Sequence, residues 1–425
     1  MYPEIDSLTG LLTRRAFHEQ ARKTLQTNSE SLAIIWFNLD NFKMYNERFG
    51  YARGDILLRE IAGIISIIFS HELSGVNLAA RFGDDNFAVL TGWADAETNT
   101  DMIQEYLYAL HDDITLRLRA GIYFPSERED IRSSCDRAKL ACDSIRKNHS
   151  VSSCMFHEGM SRKLELEQKI LDSLDDAIQG GLIRVLYQPI VRLSTGKICE
   201  AEALARWNDS ENGLIPPADF IPVLEEFREI HRLDIYALKQ VCRDCRARIS
   251  KGLPVIPVSV NLSRLDFELC DILREVEFAV TLNEIPRKML HIEITESVGD
   301  EDSTVLNLGI ERFRAMGYEV WMDDFGSGYS SLNVLKDYNF DTIKFDMKFL
   351  NGFDIRRSEK AKYIISSNME MSRLMGMQAL AEGVETAEHL EYLRSIGFDK
   401  AQGYYFGKPM NFDEIFTLSR GIERI

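Results

Sequence analysis

The stretch YEVWMDDFG, residues 318–326, climbs through an apolar run and stops on two adjacent carboxylates, Asp323 and Asp324. The same pattern recurs on both sides. Upstream it reads VLYQP (185–189), CEAEALAR (199–206), VIPVSVNLS (255–263) and MLHIEITES (289–297). Downstream it reads TIKFD (342–346), QALAEGVE (378–385) and KAQGYYFG (400–407). Each is a short apolar run that ends in a carboxylate, an amide or a lysine, and most gaps hold amphipathic helical stretches.

Strands that alternate with helices and deliver polar residues at their C-terminal ends fit a TIM-like (β/α)8 barrel, a domain of about 250 residues. The delivered set is Glu202, Asn261, Glu293, Asp323, Asp324, Lys344, Glu382 and Gln402. Each has a structural reading when taken alone: Glu202 as a surface glutamate, Asn261 as an Asx turn, Glu293 and Glu296 as loop-edge charges. Together they point to a divalent-metal site for phosphate chemistry, because buried carboxylates need cations. Adjacent Asp323 and Asp324 repel unless positive charge sits beside them. Two metal ions about 3.5–4 Å apart would let one carboxylate bridge and the other bind terminally. Gly326-Ser327-Gly328 suits a lid over such a site. Lys344 either orients an attacking water and stabilises charge on phosphorus, or neutralises neighbouring aspartates.

Residues 1–157 follow a different rhythm. A helix after Thr9 is followed by strand LAIIWFNL (32–39) and a helix over 54–69. Then come a hairpin over 77–92, a helix over 101–112, strand ITLRLRAGIYF (114–124) and a helix over 131–147. This order suits an α+β domain, an antiparallel-rich, palm-like sheet with helices. Leu164, Leu166, Ile170, Leu174 and Ile178 set a helix over 161–181, stopped at Gly180-Gly181, which connects the halves and opens a second domain over 161–425.

The net charge of −17 argues against binding DNA or RNA polymers. A nucleotide in a metal-lined pocket stays open, because bound cations invert the local field. The seven scattered cysteines fit a reducing compartment. Cys242 and Cys245 have CxxC spacing without a second pair, so they read as buried or half-buried thiols. With no run long enough to span a membrane and no signal-peptide core at the start, a cytoplasmic location is expected.

The motifs EALAR (202–206), NLS (261–263), EITES (293–297), DDFGSGYSSL (323–332), IKFD (343–346), EGVE (382–385) and QGYYFGKP (402–409) resemble the EAL family of cyclic di-GMP phosphodiesterases. The resemblance covers about 161–420. It implies that Glu202, Asn261, Glu293 and Asp323 bind one Mg²⁺ or Mn²⁺, and Asp323, Asp324 and Glu382 a second. It further implies that Lys344 positions the water, with Glu385 and Gln402 in support, and that Arg206 contacts a substrate phosphate. Glu296 would anchor the 324–330 loop, the product would be linear pGpG, and the barrel would form a homodimer. Ser327 stands where threonine is commoner, and Lys348 where serine is frequent. A rival reading is a receptor that binds cyclic di-GMP without cleaving it.

The first half, from DSLTGLLTRR (6–15) to about 156, resembles the GGDEF family of diguanylate cyclases, with GDDNF at 83–87 in place of the signature. Asp84 puts bulk and charge where glycine admits the nucleotide. Asn38 and Asn86 stand where metal-binding carboxylates are expected, and residues 74–77 lack the RxxD feedback motif. No cyclase activity is expected. Asn46 and Asp55 match guanine-contacting positions, so a GTP-binding regulator and a domain kept for folding or dimer contacts are the two readings.

Overall fold

The computed structural model describes residues 4–27, 32–70, 77–93, 96–110, 116–126, 129–146, 148, 150–209, 213–295, 303–325, 335–336, 338–346 and 359–418. Glu296, the 326–330 loop, residues 74–76 and Lys348 lie outside them. Two compact units divide the chain, Met1–Leu166 and Glu167–Ile425.

The first unit runs β1 (Leu12–Thr13), α1 (Arg14–Thr27), β2 (Leu32–Leu39), α2 (Phe42–Phe49), α3 (Tyr51–Ser70), β3 (Leu78–Gly83), β4 (Asn86–Gly92), α4 (Ala96–Leu110), β5 (Leu118–Tyr123), α5 (Ile131–Ser144) and β6 (Ser153–Met155). Its sheet has the order β1-β3-β4-β2-β5-β6, with β2 antiparallel to β4 and β5. Central β2 is apolar almost throughout because both faces are covered. Ala33, Ile35 and Phe37 join a core with Leu57, Ile61 and Ile65 of α3. Leu32, Ile34 and Trp36 join another with Phe17 of α1 and Ala138 of α5. Gly121 lets α5 approach: a Cβ there would stand 1.9 Å from the Ala138 carbonyl oxygen.

The boundary between units falls within α6 (Glu158–Gln179). The second unit continues with β7 (Ile183–Arg192), β8 (Lys197–Asp209), β9 (Gly213–Ile215), α7 (Pro217–Glu226), α8 (Ile230–Ser250), β10 (Val258–Leu262), α9 (Asp266–Leu269), α10 (Ile272–Leu282) and β11 (Leu290–Thr295). It ends with α11 (Ser303–Ala315), β12 (Glu319–Phe325), β13 (Thr342–Phe345), α12 (Glu359–Leu374), β14 (Gln378–Ala381), α13 (Ala387–Ile396), β15 (Lys400–Gln402) and α14 (Phe412–Leu418).

Strands β7, β8 and β10 to β15 form a barrel that closes through β8 against β10, and β9 extends β8 outside it. One strand departs from an all-parallel barrel: β7 is antiparallel to both β8 and β15. The connection from β7 to β8 is a tight turn at residues 193–196, too short for the crossover that parallel strands need.

Period-2 alternation then sorts each strand between two environments. Outward residues such as Val260, Ile292, Val320, Ile343 and Ala379 join the core under the helices. Leu238, Val241, Cys242 and Cys245 of α8 reach that core at helical spacing, and burial pushes both thiols up to about 12.

Inward residues form two layers. The lower one is a plug: Trp321 packs on Ile190 and Leu380, stacks near His291 and lies under the Lys400 ammonium at 4.6 Å. Lys400 pairs with Glu200 at 2.8 Å. Below them Glu319 lies 3.1 Å from Nδ1 of His291, and this contact, outweighing partial burial, draws Glu319 from 4.5 down to about 2. A lowered carboxyl pKa adds stability above the ordinary value that is lost as pH falls towards the folded one. Glu319→Gln should therefore unfold at a higher pH than the parent chain in an acid titration followed by circular dichroism. An unchanged acid midpoint would mean that the His291 contact contributes nothing.

Candidate active site

The upper inward layer, two residues further along each parallel strand and two residues before Ile190 on antiparallel β7, is polar almost throughout. It comprises Gln188, Glu202, Asn261, Glu293, Asp323, Lys344, Glu382 and Gln402. Lys344 is fully buried at its centre. Its Nζ lies 2.8 Å from Glu293 Oε2, 2.8 Å from Glu382 Oε1, 2.9 Å from Asp323 Oδ1 and 3.4 Å from Glu202 Oε1. Burial alone would lower the lysine, but Asp323, Glu202, Glu293 and Glu382 outweigh it and hold it well above its ordinary value.

One lysine does not satisfy the layer. Burial drives Glu293 well above the ordinary carboxylate range, against the pull of Lys344 and with a push from Glu202 and Asp323. Burial and the same crowding raise Glu382 to about 8. Oε1 of Glu293 is buried with no hydrogen-bond partner. Glu202 differs, because its neighbours overcome burial and lower it. Asn261 Nδ2 donates to its Oε1 at 3.1 Å and Gln402 Nε2 to its Oε2 at 2.6 Å.

Asp324 reaches the cluster against strand alternation. Neighbours on a regular strand face opposite sides, yet Asp323, Asp324 and Glu382 have carboxylate oxygens within 4.8 Å of one another. A register shift between Met322 and Phe325 and a left-handed φ of 56° at Asp324 turn both aspartates to one side. Glu202, Glu293 and Asp323 make a second such group. Asp323 belongs to both, so the geometry offers two adjoining cation positions with one shared carboxylate.

Gln188 is the residue that sequence reasoning missed. It lies opposite Glu202 in the β7–β8 pair, and its Oε1 accepts from Gln402 Nε2 at 3.2 Å. The signal was present: VLYQP also ends an apolar run on an amide. Arg206 of β8 is half-buried. Burial lowers it, while the charges of Glu202 and Tyr404 oppose that shift. Gly403 permits close approach after Gln402, since a Cβ there would meet the Val384 carbonyl oxygen at 2.1 Å. Glu385 is not brought into the cluster. It is exposed beyond β14, and its amide donates to His389 Nδ1 at 3.5 Å.

In the first unit Asn38, Asp85 and Asn86 do come together. Asn38 Nδ2 donates to Asp85 Oδ2 at 2.9 Å and to Asn86 Oδ1 at 3.2 Å. The buried Arg119 guanidinium already occupies this centre, donating to Asn38 Oδ1 and to Asp40. Asp84 takes the left-handed turn conformation, φ 45°, and its carbonyl accepts from Arg81 at 2.8 Å. Asn46 of α2 abuts Gly54 of α3, where a Cβ would stand 1.9 Å from its Oδ1; Asp55, next along, is exposed.

Among the described residues no helix is long and apolar enough to cross a membrane. The EAL domain model matches residues 171–409, and the model for the diguanylate cyclase GGDEF domain matches 4–150. Cyclic di-GMP phosphodiesterase NbdA of Pseudomonas aeruginosa is 29% identical over 421 residues, 95% of this chain and 52% of its own length. Cyclic di-GMP phosphodiesterase PdeR of Escherichia coli is 30% identical over 426 residues, 95% of this chain and 61% of its own. The solved phosphodiesterase PaMucR, in complex with c-di-GMP, matches with a TM-score of 0.54 and 31% identity, covering 58% of this chain and 99% of that one. The chain spans about half the length of the first curated relatives it matches.

Proposed function

Because this chain belongs to the EAL domain family and carries a GGDEF domain ahead of that domain, we propose that its second unit hydrolyses cyclic di-GMP to linear pGpG with two divalent cations, Mg²⁺ or Mn²⁺. The observation that carries the reading is the charge of the upper layer. Among the described residues, Glu202, Glu293, Asp323 and Glu382 surround the Lys344 ammonium and Asp324 adjoins them, a formal charge of −4 over these six side chains that two divalent cations would neutralise. The orphaned Glu293 oxygen supports the same conclusion. Glu202, Asn261, Glu293 and Asp323 would hold one cation, and Asp323, Asp324 and Glu382 the other. Bound there, the pair would supply Lewis-acid stabilisation at the phosphoryl oxygens and a water of lowered pKa.

The chain's own residues do the positioning. Asn261 and Gln402 hold both oxygens of Glu202, so that carboxylate cannot rotate away. Lys344 donates from the centre of the layer, where it would orient the attacking water and offset charge developing on phosphorus. Arg206 offers a guanidinium fork towards a phosphate at the mouth. Glu385 would act from the rim, and Glu296 as a loop anchor. The test is conversion of cyclic di-GMP to pGpG in Mg²⁺ or Mn²⁺, abolished by EDTA. Tight binding without turnover would instead make the unit a receptor.

The first unit, in the same proposal, makes no cyclic di-GMP and acts as a regulator that takes GTP through Asn46 and Asp55. Neutral amides at Asn38 and Asn86 are poor ligands for Mg²⁺, and the Arg119 guanidinium supplies positive charge where a metal would otherwise be needed. A GTP-dependent change in phosphodiesterase rate would support the regulatory part. The triple variant Asn38→Asp, Asp84→Gly, Asn86→Glu should remain silent, because a carboxylate at position 38 would pair with Arg119 before it met a metal. Synthesis of cyclic di-GMP from GTP by that variant would overturn the assignment to Arg119.

A further inference from the structure

The strand that presents Asn261 ends one residue later, and what holds that end is a set of acids. Past Leu262, the Ser263 amide donates to Asp234 Oδ2 at 3.2 Å, and Ser263 Oγ donates to Glu225 Oε1 at 2.8 Å. The turn leads into α9, whose first residue, Asp266, is 0% exposed and has no side-chain donor on either carboxylate oxygen. Asp266 faces Asp234 within hydrogen-bonding range. Acids from α7, α8 and α9 thus converge in the interior. The groups that face the pair are Glu225, Ser263 and Cys270, whose Sγ donates to the Asp266 carbonyl at 3.3 Å. Among the described residues no lysine, arginine or histidine is seen to act on Asp266.

Two ionised carboxylates cannot face each other in such a place without a counter-ion. One proton between them replaces the repulsion with a charge-assisted O–H···O hydrogen bond and leaves Asp234 Oδ2 free to accept from Ser263. We propose that Asp234 and Asp266 share a single proton, and that this acid pair is the positioning clamp that fixes the end of β10 and, through Ser263, the Asn261 side chain. The role at Asn261 rests on the metal-dependent reading above; the shared proton does not. Burial first, then the proximity of the two groups, raises Asp234 well above the ordinary range, and burial lifts Asp266 to about 7. The folded chain therefore keeps a proton that the unfolded chain releases near its ordinary carboxyl pKa of about 3.9, and stability falls as pH rises from there through the folded value.

The test compares the full chain with Asp266→Asn, whose amide donates to Asp234 at every pH, and with Asp266→Ala, which cannot donate. Between about pH 5.5 and about pH 8 the parent chain should lose about 5 °C of melting temperature relative to Asp266→Asn. Parallel pH profiles for the two would overturn the shared proton, whether or not the chain hydrolyses anything. Direct titration with Mn²⁺ reads the clamp. Asp266→Ala should bind it about tenfold more weakly, with affinity restored in Asp266→Asn. Equal Mn²⁺ affinity in the parent chain and Asp266→Ala would overturn the positioning role.

Discussion

Glu202→Gln is expected to lower cyclic di-GMP turnover by about 10³-fold, the rate equivalent of several kcal/mol of transition-state stabilisation lost with a cation ligand. The fold should barely register it. Gln402 Oε1 is buried without a partner, so its amide can turn over and accept from the new side-chain NH₂, giving up its bond to Gln188 Oε1. Asn261 keeps an acceptor. The expected stability change is about 1 kcal/mol, one hydrogen bond's worth. The combination of lost turnover, weakened Mn²⁺ binding and a near-normal melting temperature identifies a ligand rather than a structural carboxylate. Turnover within tenfold of the parent chain would remove Glu202 from the metal site.

Lys344→Met should have the largest effect on stability, and a conditional one. The ammonium touches four carboxylates, each within 3.4 Å. Deleting one partner of a buried ionic cluster typically destabilises by about 3–5 kcal/mol, because the remaining charges have no counter-ion. Divalent cations would supply that charge, and a ligand bound only by the folded state stabilises it by mass action. The variant should therefore melt well below the parent chain in EDTA and recover much of the difference in excess Mn²⁺. Turnover should stay about 10³-fold low even then, because the donor that orients the water is gone. A melting deficit that Mn²⁺ leaves untouched would show that the carboxylates of this layer do not form a cation site.

Much of this architecture was legible in linear order, for a local reason. A strand in a closed barrel is apolar outside and filled inside, so its sequence shows apolar alternation that stops where the interior turns polar. TIKFD reads as Thr342–Phe345, and LAIIWFNL coincides with Leu32–Leu39. The polar stops then name Glu202, Asn261, Glu293, Asp323, Lys344, Glu382 and Gln402 without any knowledge of how the strands are arranged. The helix α2 was not legible. The sequence marks no element between the strand over 32–39 and the helix over 54–69, but a left-handed Asn41 turns the chain and starts a helix at Phe42.

The sequence by itself determined most of the residues that line the barrel, Gln188 excepted, because period-2 alternation is a property of each strand alone. It also determined that the first half lacks carboxylates at 38 and 86. Only the tertiary structure decided how those residues meet. The bulge at Asp324 puts two neighbouring aspartates on one side, and Gln188 enters the layer because a short turn makes β7 antiparallel. Arg119 fills the first unit's centre from a strand some 80 residues away in sequence, 81 from Asn38. The Asp234–Asp266 pair joins two helices that no local pattern relates. These are long-range pairings of charge and backbone, and their energies exist only once burial has removed the water that would otherwise screen them.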